Sequence, residues 1–137
     1  MKLYFYKWTS LISRLIQLRT FSKFSHVSIE VAGTVYEAHI NKWVVESPHP
    51  WTYNTAEYET IEVKENTPIV KEFLKRQVGK KYDLLAIFVL LGNESNRNDN
   101  GKWFCSELAS MALYKWGIIR KPKKLISPWL LYDILTK

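Results

Sequence analysis

Residues 26–40, HVSIEVAGTVYEAHI, decide the fold. From His26 to Val31 the residues alternate strictly. Val27, Ile29 and Val31 fall on one face, and His26, Ser28 and Glu30 on the other. A period of two is that of a β-strand with one face on a core. Gly33 marks a tight turn and Val35–Ile40 returns, so the segment reads as a β-hairpin.

Working outward, Leu3–Lys7 is short and aromatic and predicts a strand, as do Trp43–Val45 and Tyr58–Val63 around the Pro48–Pro50 loop. Thr9–Leu18 carries Leu11, Ile12, Leu15, Ile16 and Leu18 at helical spacing, with Thr9 or Ser10 as cap. Thr67-Pro68 opens a helix to about Val78. A second helix is predicted over Tyr82–Leu91, and a polar surface loop over 92–102. Trp103–Trp116 reads as a buried helix ended by Gly117, and Ser127-Pro128 starts a last short one. These elements predict a single α+β domain over 1–137, a central antiparallel sheet packed against helices.

Of 137 residues, 47% are hydrophobic and 24% charged, which supports a core and excludes wholesale disorder. Twenty Lys+Arg against 13 Asp+Glu leave +7. That balance suits acidic partners, whether cell-wall polymer, anionic lipid or nucleic acid, without selecting one. The longest apolar run, Leu84–Leu91, is far short of the roughly 20 residues of a membrane span. Lys2, Lys7, Arg14 and Arg19 interrupt the N-terminal apolar runs, so no signal peptide is expected and a cytoplasmic location is.

Cys105 is the single cysteine, so no intramolecular disulfide forms, and its thiol is either inert packing or chemistry. It stands in Trp103-Phe104-Cys105-Ser106-Glu107-Leu108, near the start of a predicted helix. Partial positive charge and unsatisfied amides there favour an anionic sulfur and a developing oxyanion. Free cysteine is also among the most buried residue types, which is the packing alternative.

Three histidines are candidate bases: His26, His39 and His49. His49 sits in a Ser-Pro-His-Pro loop suited to a solvated side chain, whereas His26 begins a rigid strand, as a general base requires. For the residue that orients the imidazole, Glu30 is roughly 13 Å along the same strand and too far. Hairpin pairing across Gly33 sets His39 near the position opposite His26 and Glu37 diagonally off it, and arithmetic leaves both open. No CxxC or HxxxH spacing supports a metal site, so no metal or other cofactor is expected. Neither a Gly-rich phosphate loop nor a GxSxG elbow occurs.

In order, SHVSIEV–Gly33–VYEA, GKKYD, WFCSEL and ISPWLL resemble the circularly permuted branch of the NlpC-type papain-like cysteine peptidases. The closest likeness is to YiiX-like permuted amidases, including small phage-encoded members. In the ordinary branch the cysteine helix precedes the histidine strand. Here His26 comes first and Cys105 follows 79 residues later (105 − 26), as in the permuted branch. The resemblance runs over nearly the whole chain. It implies a permuted papain-like fold, Cys105 as nucleophile, His26 as base, Glu37 as the third polar residue and Tyr82 as an active-site tyrosine. It also implies a cysteine amidase or peptidase acting on a peptide or isopeptide-like amide, such as one from the cell wall.

Two alternatives compete with that expectation. Permuted relatives resembling lecithin:retinol acyltransferase use the same constellation for acyl transfer or for thioester and lipid hydrolysis. A basic nucleic-acid-binding module would instead use Lys71, Lys75, Arg76, Lys80, Lys81 and the 120–124 run.

Overall fold

The structure, a computed structural model, describes residues 1–7, 17–18, 23–39, 43–48, 57–64, 68–83, 101–122 and 126–137. Among them are five strands, β1 (Lys2–Lys7), β2 (His26–Val31), β3 (Thr34–Ala38), β4 (Val44–Ser47) and β5 (Glu57–Glu62). Three helices, α1 (Pro68–Gln77), α2 (Cys105–Trp116) and α3 (Pro128–Thr136), also lie among the described residues. The sheet order is β4-β3-β2-β1-β5, antiparallel throughout. The architecture is mixed α+β.

The hairpin forms where its alternation predicts. Val31 pairs with Thr34 across a two-residue turn, Ala32-Gly33, with φ of 50° and 76°. Positive φ at both central positions matches the right-handed twist of the flanking strands and suits Gly far better than Ala. On one face of the sheet Leu3 lies opposite Ile29 and Phe5 opposite Val27, and Tyr36 lies opposite Ile29. These side chains join Leu108, Ala109, Ala112 and Leu113 of α2 in one core. Burying each large aliphatic or aromatic side chain contributes roughly 1.5–3 kcal/mol. The edges are managed differently: β5 carries Glu57, Glu59 and Glu62, while Val44 of β4 exchanges backbone hydrogen bonds with Gly79 and Lys80.

Residues Cys105–Leu113 of α2 are all buried, so this helix is central, and Gly117 ends it at φ 83°. The Ser127 hydroxyl caps α3 by accepting from Leu130 N–H at 3.2 Å, with Pro128 at the first position. Glu59 accepts from the Tyr132 hydroxyl at 2.6 Å and from Lys23 at 2.9 Å, which ties α3 to β5.

Two boundaries differ from the sequence expectation. Tyr82 opens no helix: it forms a parallel bridge with Trp103, with Trp103 N–H donating to Lys81 and Asp83 N–H to Trp103, both at 3.0 Å. Because those backbone groups are used across chains of long sequence separation, α2 starts at Cys105 rather than at Trp103. Most of the predicted 9–18 helix, residues 84–91 of the predicted 82–91 helix and most of the 92–102 loop lie outside the described residues, as do His49 and Thr67. No helix among the described residues is long and apolar enough to cross a membrane.

Candidate active site

The opposite face of the same sheet is polar and aromatic, and it too is buried. Tyr4, Tyr6, His26, Ser28 and Glu37 all lie at 7% exposure or less. The β2–β3 register, continued toward the open end of the hairpin, sets Glu37 opposite Ser28 and His39 opposite His26. The diagonal wins: Glu37 Oε2 is 2.9 Å from His26 Nε2. The His39 ring meets the His26 ring edge-on with centroids 6.2 Å apart. His39 is therefore a neighbour of the imidazole, while Glu37 is bonded to it.

Cys105 is the first residue of α2 and is buried beside His26, with which its side chain hydrogen-bonds. Since Nε2 faces Glu37, Nδ1 is the ring nitrogen left for the thiol. Burial alone would drive the imidazole toward its neutral form. Hydrogen bonds and charge from Cys105 and Glu37 outweigh burial and raise the His26 pKa from 6.5 to about 9. An imidazolium between a thiol and a carboxylate is the arrangement that stores a proton for acid–base work.

Tyr82 is half-buried, with its ring edge-on to Phe104 at 5.9 Å. Its phenol is pushed well above the usual value by burial and then by the charges of Cys105 and Asp83, so it remains a protonated donor near the sulfur. The Tyr82–Trp103 bridge explains that position, because it fixes Tyr82 beside the segment leading into Cys105. Trp103 is held in turn by Gln77, whose Oε1 accepts from the indole N–H at 3.1 Å. Ser106, next to the thiol, donates to the carbonyl of Ile126 at 2.5 Å and pins the helix start to the chain before α3.

The structure thus brings Cys105, His26, Glu37 and Tyr82 together, with His39 alongside. Sequence reasoning missed Tyr6, whose ring lies 5.5 Å from that of His26. Its sequence signal is slight, a place in a short aromatic strand, and only the β1–β2 register shows what its face meets. No group of three or more His, Cys, Asp or Glu suited to a metal ion occurs among the described residues. Cavities of about 380 and 410 Å³ lie elsewhere, one by Met1, Lys2 and Glu62, the other by Thr34, Glu46, Lys71 and Lys75. Of the basic residues on and after α1, Arg76 bonds Glu72 at 2.5 Å and Lys80 bonds Gln77 at 2.7 Å. Compared with known proteins, the chain matches no protein-family model and no curated protein.

Proposed function

We propose that this protein is a cysteine hydrolase that cleaves an amide bond, peptide or isopeptide-like, with a circularly permuted papain-like fold. The observation that carries the reading is the buried 2.9 Å bond between His26 and Glu37, with Cys105 on the same imidazole. The order of strand histidine, returning-strand glutamate and helix-start cysteine is that of the permuted branch.

The thiol proton passes to His26 in forming the resting pair, where the raised pKa keeps the ring an imidazolium near neutral pH, and the Cys105 thiolate attacks the amide carbonyl carbon. The carbonyl oxygen becomes an oxyanion, met by the Cys105 backbone N–H at the start of α2 and by the Tyr82 hydroxyl. As the tetrahedral intermediate collapses, the C–N bond breaks, His26 gives its proton to the departing amine, and a thioester remains. Water attacks the thioester while His26 takes a proton from it. The carboxylic acid leaves and the thiolate–imidazolium pair is restored. Glu37 stays ionised throughout and holds the imidazole in one tautomer.

Iodoacetamide labelling across pH, on the native chain and on His26→Ala, tests this reading. Alkylation of Cys105 is expected to be fast already near neutral pH and to slow at least tenfold in the variant, the scale on which general bases act. An inert thiol, or equal rates in the two proteins, overturns it.

A further inference from the structure

We propose that Tyr6, outside the Cys105–His26–Glu37 set, is a positioning residue whose ring holds the His26 imidazole in the orientation that bonds Glu37 and faces Cys105. The inference rests on the hydrolase reading only for its consequence in catalysis, since the geometry stands without it. Tyr6 and His26 are directly paired across β1 and β2. Their ring centroids are 5.5 Å apart at an interplanar angle of 38°.

The nitrogens of His26 face Glu37 and Cys105, so only the ring's flat sides and carbon edges remain to be held. An imidazole free to turn about its outer torsion would lose both bonds at once. Tyr6 cannot itself turn away. It is fully buried, its hydroxyl lies 3.1 Å from Ser28 Oγ, and the Tyr58 ring packs on it at 5.8 Å. An aromatic ring suits this place better than an aliphatic one, because its π face attracts the protonated imidazole. Among the described residues, the groups facing His26 include Glu37 from β3, His39 just past the end of β3, Tyr6 from β1 and Cys105 from α2, with Tyr82 beyond the sulfur.

The test is an NMR titration of the His26 ring in the native chain and in Tyr6→Phe and Tyr6→Leu, with iodoacetamide rates measured on the same samples. The native ring is expected to titrate near 9. Tyr6→Phe should keep that value, because the ring remains. Tyr6→Leu should lower it by about 0.5–1.5 units, the range of a partly to fully desolvated cation–π contact. An unmoved titration in Tyr6→Leu overturns the proposal, as does an equal fall in Tyr6→Phe, which would place the effect in the hydroxyl. Should Tyr6→Leu fail to fold by circular dichroism, Tyr6→Met replaces it and the same two outcomes decide. A shifted titration with an inert Cys105 would sustain the positioning role while removing the hydrolase reading. A reactive thiol with an unmoved titration would do the reverse.

Discussion

The two faces of the sheet are buried alike and built unlike. On one, Leu3, Phe5, Val27, Ile29 and Tyr36 pack under α2. On the other, Tyr4, Tyr6, His26, Ser28 and Glu37 are linked by polar contacts: Tyr4 bonds Glu30, Tyr6 meets Ser28, and His26 bonds Glu37. Both faces come from the same strands, one residue out of step. The first face resists by volume, because each side chain fills space. The second resists by pairing, because a buried polar atom without its partner costs about 1–3 kcal/mol. A substitution on either face therefore reports a different kind of damage, and the two can be separated by experiment.

The largest expected effect is on the apolar face. Ile29→Ala, at 1% exposure in the centre of the sheet, should lower stability by about 2–5 kcal/mol in urea unfolding, through lost burial and the cavity left. Below its unfolding transition, the variant should leave the His26 titration near its native value. A large change in that titration would show that the faces are not independent.

Glu37→Gln should do the opposite, with a smaller loss of stability and a fall of the His26 pKa from about 9. The pH dependence of stability provides the check. With a folded value near 9 and an unfolded value of 6.5, the His26 contribution is fully present below pH 6.5. It is lost as pH rises through 9, so native stability should decline across that window and the decline should shrink in Glu37→Gln. A decline of the same size in both proteins would detach His26 from Glu37.

The smallest effect belongs to the turn that joins the two strands. Ala32→Asn, at φ 50°, should raise stability by roughly 0.5–1 kcal/mol in the same unfolding assay, since Asn-Gly tolerates two positive φ values where Ala does not. No gain would mean that the turn is held by its strands alone.

The parts of this fold legible in sequence are those that local chemistry dictates. The hairpin follows from six alternating residues and a glycine, the end of α2 from Gly117, and the start of α3 from Ser127-Pro128. The opacity of Glu37 against His39 has a physical source. Spacing alone leaves the register open by a residue or two and does not report the reach of a side chain. The 2.9 Å bond is diagonal, while the residue nearest the opposite position meets the ring edge-on. The sequence predicts helices beginning at Tyr82 and at Trp103. Their mutual bridge spans a sequence separation that no local pattern encodes. Tyr6 escaped notice for the same reason, since β1 meets β2 only through tertiary pairing.

His26 and Glu37 are 11 residues apart and belong to one hairpin, whereas Cys105 arrives on a helix from far along the chain. Closing so short a loop costs little chain entropy, and hairpins form within microseconds. His26 and Glu37 can thus pair early, with no thiol beside them. On the proposed hydrolase reading, chemical competence is a property of the finished fold: a nascent or partly unfolded chain carries a cysteine and a histidine, but does not yet hold the one beside the other.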